Sequence, residues 1–92
     1  MNDTTIIEQP TIEEIQTETK KLLAKRLSIT ESEVDLNKTF TGYGLDSIDA
    51  ITLIGDLEDQ YDIELPSTLL WDFNNINEMA EYVANNFKDL TL

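Results

Sequence analysis

Three stretches of this 92-residue chain repeat their apolar residues at helical spacing, and none alternates them as a strand would. Ile12, Ile15, Thr19, Leu22, Leu23 and Leu27 mark the first, over residues 11–27. Thr11 followed by Glu14 has the spacing of a capping box, with Pro10 just outside it. The second begins at Asp46 or Ser47, where Asp is a good cap whose charge suits the positive helix end. Its stripe is Ile48, Ile51, Ile54, Leu57 and Tyr61, widened by Ala50 and Leu53, with Asp49, Thr52, Asp56, Asp59 and Gln60 on the other side. Asn75 with Glu78 opens the third, carried by Ile76, Met79, Ala80, Val83 and Phe87. Such helices bury their apolar stripes against one another. The expected fold is all-α, a small four-helix bundle of three main helices plus a short one over residues 67–72.

Periodicity fails over residues 28–46, where Ile29, Val34, Leu36, Phe40 and Leu45 are scattered among turn formers. This predicts a long loop between helices one and two, pinned to the core, and loops of that length in small domains are often functional. Asp62-Ile63-Glu64-Leu65-Pro66 breaks the pattern after the second helix. The expected organisation is a flexible tail over 1–10, one domain over 11–88 and a C-terminal tail over 89–92.

Composition narrows the chemistry. An apolar share of 40% supports one modest core. The absence of Cys and His excludes a disulfide framework, thiolate zinc sites and most other zinc sites. The polar, acidic N-terminus is no signal peptide, and no apolar run approaches the roughly 20 residues that span a bilayer. A cytoplasmic monomer is expected. A net charge of −13 argues against binding nucleic acid or an anionic membrane. The charge is also uneven: Lys20, Lys21, Lys25, Arg26 and Lys38 precede Ser47, and no Lys or Arg falls between Lys38 and Lys88. A solvated acidic surface that aids solubility accounts for this; a docking face for basic partners accounts for it more sharply, because complementary charge speeds association.

Ser47 stands in Gly44-Leu45-Asp46-Ser47-Ile48, where loop gives way to helix. As structure, Asp-Ser at a helix start is ordinary capping. As function, Gly42 and Gly44 permit tight backbone geometry before it, and helix-start N–H groups favour a phosphate attached there. The chain offers no strong general base, and a Ser-His-Asp site is impossible without His. Chemistry at Ser47 must therefore be done to this protein by another enzyme. Residues 56–67 are acidic but fail the calcium-loop pattern, with Tyr61 where Gly is needed and Ser67 where the bidentate Glu belongs. Gly42-Tyr43-Gly44 is too short for a phosphate-cradling loop and lacks its Lys. Phe40, Tyr61, Trp71 and Phe73 read as core or near-core aromatics.

Tyr43-Gly44-Leu45-Asp46-Ser47-Ile48, an acidic helix reaching Leu57-Glu58, and Ile63-Glu64-Leu65-Pro66 together resemble the acyl carrier protein family over about residues 11–87. The resemblance implies a four-helix fold and a covalent 4′-phosphopantetheine on Ser47, with Asp46 capping the helix beside it. The group would come from coenzyme A through a phosphopantetheinyl transferase and carry acyl cargo as a thioester. A cysteine-free chain that handles thioesters must borrow its thiol. Residues 65–73 look more like carrier domains of polyketide synthases than fatty-acid carriers, although Asn74-Asn75 stands where those often have Pro-Thr. Gly44-Leu45-Asp46-Ser47 departs from the Gly-Gly-His-Ser common in peptidyl carriers.

The same resemblance implies a partner-facing surface at Ile48, Asp49, Thr52, Gly55, Asp56, Glu58 and Asp59. Thr52 replaces the Glu, and Gly55 the bulky apolar residue, usual in fatty-acid carriers, which argues against exchange with fatty-acid synthase enzymes. The expectation is a free-standing, non-catalytic carrier of a secondary-metabolite or specialised lipid pathway. Its partners would be acyl-activating, ketosynthase or adenylation-type enzymes with basic docking surfaces. The alternatives are an acidic helical interaction module without a prosthetic group, such as an inhibitor or nucleic-acid mimic, and a calcium-responsive helical protein.

Overall fold

The computed structural model describes residues 9–92. Apart from Gln9 and Pro10, the expected N-terminal tail lies outside the described residues.

Helix α1 (Ile12–Leu27) begins at the capping box. Thr11 Oγ1 accepts from the Glu14 N–H at 3.1 Å, and the Glu14 carboxylate accepts from the Thr11 N–H at 2.8 Å. Glu13 and Glu14 in the first turn, with Lys25 and Arg26 in the last, complement the helix dipole. The helix stops at Ser28, in left-handed backbone at φ 57°. It buries Ile15, Thr19, Leu23 and Ala24. Thr19 can sit in an apolar stripe because its hydroxyl donates to the Ile15 carbonyl at 2.7 Å.

The segment over 28–46 is pinned as expected, with Val34 and Phe40 buried and Ile29, Leu36 and Leu45 packed against the core. Its backbone is tied to the start of the last long helix: the Phe40 N–H donates to the Asn74 carbonyl at 2.9 Å, and the Asn77 N–H to the Leu36 carbonyl at 3.2 Å. It is more ordered than a plain loop, containing 3₁₀ turns at Glu31–Glu33 and Thr41–Tyr43. Three-residue turns of this kind bury no stripe, so apolar periodicity does not reveal them.

Helix α2 (Ser47–Tyr61) corrects the stripe drawn from sequence. Its buried residues are Ala50, Leu53, Ile54 and Leu57, whereas Ile48 is 74% exposed and Ile51 56% exposed. The apolar positions of α2 cover more of the helix circumference than its neighbours can bury. The core takes the side centred on Leu53 and Leu57 and leaves Ile48 and Ile51 to solvent.

Beyond α2, Ile63 and Leu65 are buried between exposed Asp62 and Glu64. Ile63 forms an isolated antiparallel bridge with Thr91, the one β-type pairing among the described residues. Helix α3 (Leu69–Asp72) is a single turn. Helix α4 (Ile76–Asn85) is capped by Asn75, whose side chain accepts from the Glu78 N–H at 2.8 Å. The final stripe, read from sequence as continuous through Phe87, is interrupted at Asn86 and resumes as α5 (Phe87–Leu90). The Asn86 side chain donates to the Tyr82 carbonyl at 2.9 Å, a local bond of the kind that competes with helix continuation. Phe87 stays buried and meets Tyr61 edge-on at 6.1 Å. The last residues fold back: the Glu64 N–H donates to the Leu90 carbonyl and the Leu92 N–H to the Asp62 carbonyl. The architecture is all-α, as its periodicity predicts, with α1 packed on α2 and α4 around Leu23, Leu53, Ile63, Leu69, Ile76, Met79 and Val83.

Candidate functional site

Gly44 sets up the site. Its φ of 81° lies in left-handed backbone that a side chain resists, and it turns the chain into Leu45 and the α2 cap. Asp46 is extended, and its carboxylate accepts from the Asp49 N–H at 2.8 Å. Asp49 returns the contact, accepting from the Asp46 N–H at 3.4 Å. Asp49 also pairs with Arg26 of α1 at 3.5 Å, which fastens the start of α2 to the end of α1.

Ser47 follows as the first residue of α2, exposed, and among the described residues its hydroxyl has no hydrogen-bond partner. The carboxylates on either side of it are engaged with backbone N–H groups, so neither is set as a base against that hydroxyl. The first-turn N–H groups, which have no intrahelical acceptor, give this end a partial positive charge. Beside Ser47 a hollow of about 240 Å³ opens between α2 and α3, lined by Phe40, Leu45, Ala50, Leu70 and Trp71 together with Thr41, Asp46 and Ser47 itself.

Trp71 corrects another expectation. It is 50% exposed, because the single turn of α3 sends Leu69 and Leu70 inward and leaves the indole outside. Phe40 is core as read, and Phe73 and Tyr61 are half-buried, Phe73 stacked on Tyr82 at 4.5 Å. A half-exposed Trp71 beside Ser47 was not legible in sequence, since a one-turn helix has no periodicity to orient it.

The seven positions expected to face partners divide by what their side chains already do. Ile48, Asp56 and Asp59 are exposed along α2. Thr52 donates to the Ile48 carbonyl at 2.8 Å. Gly55 lies on the same ridge, and a Cβ added there would meet nothing within 4 Å, so no internal contact requires glycine. Asp49 and Glu58 have internal roles: Asp49 in the cap and the Arg26 pair, Glu58 in accepting the Leu65 N–H at 2.8 Å. The Arg26 pairing is a contact that sequence reasoning missed, and nothing in the linear order of the chain signals it. Among the described residues no cluster of three or more Asp or Glu could hold a metal ion, and no helix is long and apolar enough to cross a membrane.

Comparison with known proteins agrees with this geometry. A family model described as the phosphopantetheine attachment site matches residues 18–83. An acyl carrier protein of Clostridium perfringens is 31% identical over 68 residues, covering 73% of this chain and 90% of that protein. Polyketide synthase PksR of Bacillus subtilis is 34% identical over 70 residues, 76% of this chain but 3% of the synthase. Among solved structures, a free-standing peptidyl carrier protein from an uncharacterized Acinetobacter baumannii secondary metabolic pathway superposes with a TM-score of 0.79 at 39% identity, covering 84% of this chain and 96% of that one.

A helical bundle with an open hydroxyl at a helix start is the form of a carrier. The chain belongs to the phosphopantetheine-binding acyl carrier protein family. Its cofactor is covalently attached 4′-phosphopantetheine, and its role is that of a carrier. An acidic module without a prosthetic group finds no support.

Proposed function

We propose that Ser47 carries the 4′-phosphopantetheine arm and that the chain serves a secondary-metabolite pathway as a non-catalytic carrier. The observation that supports the attachment residue most is the Ser47 hydroxyl itself, exposed and without a partner at the capped start of α2. The residues around it fit the group. First-turn N–H groups suit a phosphodiester, and the hollow beside Trp71, of mixed apolar and polar lining, suits the start of the arm. When bound, the arm supplies the thiol on which acyl groups ride as thioesters. The chain's own residues present it: Gly44 turns the backbone, Asp46 and Asp49 hold the first turn, and Arg26 anchors that turn to α1.

The pathway reading rests on likeness to a polyketide synthase and to a carrier from a secondary metabolic pathway. The carrier unit is residues 11–88, acting in the cytoplasm. Ile48, Thr52, Gly55, Asp56 and Asp59 meet basic surfaces of a phosphopantetheinyl transferase and of acyl-activating, ketosynthase or adenylation-type enzymes. Asp49 and Glu58 flank that ridge and act mainly by holding it in shape.

The absence of cysteine means that the purified chain itself brings no thiol to the test. After treatment with coenzyme A, Mg²⁺ and a broad-range phosphopantetheinyl transferase, and repurification away from coenzyme A and the transferase, a thiol reagent titrates one group per chain and none in Ser47→Ala. Treated wild type without a titratable thiol would contradict the proposal.

A further inference from the structure

The ridge of α2 forms one wall of a groove whose other wall, on α1, the proposed acidic docking surface leaves out. Leu22 forms its apolar floor, Lys25 and Arg26 of α1 line one wall, and Thr52, Asp56 and Asp59 of α2 line the other. Its volume, about 640 Å³, exceeds that of the hollow beside Ser47. This is the size of a ligand cleft, roughly 300–1,000 Å³, but its walls are charged where such clefts are mostly apolar. Side chains of another protein suit it better than a small apolar ligand does.

The two walls carry opposite charge and neutralise each other only in part. Among the described residues Arg26 pairs with Asp49, whereas Lys25, Asp56 and Asp59 belong to no ion pair. In a chain of net charge −13, Lys25 and Arg26 make a local positive strip alongside an acidic helix. Their place in the last turn of α1 suits the helix dipole, which explains why cations end that helix. It does not explain an open cleft with an unpaired lysine on one wall and unpaired aspartates on the other.

We infer that this α1–α2 groove is a bipolar docking site for a partner-enzyme segment that carries both signs of charge, a carboxylate for Lys25 and a Lys or Arg for Asp56 and Asp59. This deepens the carrier reading and rests on it. A purely basic segment meets repulsion from unpaired Lys25, and a purely acidic one meets repulsion from α2. Among partners with basic docking surfaces, the groove therefore favours those that also bring a carboxylate to Lys25, which is specificity built in part from a repulsive element.

The test uses the full-length chain, ¹⁵N-labelled and titrated at low salt with three helical peptides of equal length. One is basic, one is acidic, and one has carboxylates and lysines on opposite sides. The mixed peptide shifts the amides of both Lys25–Arg26 and Asp56–Asp59 and binds about threefold to fivefold more tightly than the basic one, the scale of a few exposed ion pairs. Lys25→Glu reverses that preference. Should Lys25→Glu fail to fold, Lys25→Gln decides, by bringing the two peptides to equal affinity. A basic peptide that binds wild type as tightly as the mixed one, or a preference unmoved by the Lys25 variants, overturns the inference. Each preparation is also weighed after transferase treatment. A chain that takes no arm fails the carrier reading, whereas a chain that takes it and ignores the mixed peptide fails the groove alone.

Discussion

The Glu58 carboxylate accepts the backbone N–H of Leu65 at 2.8 Å, tying the last turn of α2 to the segment that leads into α3. An acidic residue on the implied docking surface is thus also part of the scaffold. Glu58→Ala leaves a half-buried N–H without its acceptor and lowers stability by about 1–2 kcal/mol in urea denaturation. Glu58→Gln keeps an acceptor oxygen and loses less than half of that. Equal stability of Glu58→Ala and wild type would show the bond to be incidental.

Two glycines predict opposite outcomes. Gly44, at φ 81°, is required by its backbone, and Gly44→Ala costs about 1–2 kcal/mol. Gly55 has open space where a Cβ would go, and Gly55→Ala in a helix interior gains up to about 1 kcal/mol. Thermal melts of the two variants check both signs. If the notch at Gly55 serves partners, Gly55→Leu slows partner turnover while its melting temperature does not fall.

Ile51 and Ile54 share one helix and one residue type but not one environment. Ile54 is 4% exposed and Ile51 56%. Ile54→Ala costs about 2–4 kcal/mol through lost burial and a residual cavity, while Ile51→Ala stays within about 0.5 kcal/mol of wild type. Denaturant midpoints of the pair decide it, and a large loss at Ile51 would mean that the orientation of α2 is wrong.

That pair also marks where sequence stops being informative. The starts of α1 and α2 were legible because N-capping is local chemistry, written in Thr11 with Glu14 and in Asp46 ahead of its helix. Ser47 was legible as a candidate from its place at a helix start behind Gly42 and Gly44 and from the resemblance carried by residues 43–48. Which side of α2 faces inward was not, because its apolar residues span more of the circumference than the core covers, and only packing selects among them. The exposure of Trp71 and the break at Asn86 depend on one residue each, with no repeat to announce them. The Arg26–Asp49 pair joins two helices and exists only once they meet.

Tyr61 supplies a pH dependence. Partial burial, reinforced by the nearby charges of Glu18 and then Glu14, pushes its hydroxyl up to about 12 from the usual 10. The protonated phenol is favoured in the fold, so the stability it contributes is complete below pH 10 and is lost as pH rises through about 12. Tyrosinate absorbance rises late for this residue, and Tyr61→Phe removes its part of the alkaline loss of stability. Ionisation of all three tyrosines near pH 10 would contradict the burial of Tyr61 against Phe87.

The proposed attachment site depends on whether one hydroxyl, at the start of α2, accepts the arm. Intact mass spectrometry after treatment with coenzyme A, Mg²⁺ and a phosphopantetheinyl transferase tests it most directly, followed by fragmentation of the modified chain. One phosphopantetheinyl mass per wild-type chain, located at Ser47, is expected, and none on a folded Ser47→Ala variant. An unmodified wild type, or an adduct that persists in Ser47→Ala, would contradict it.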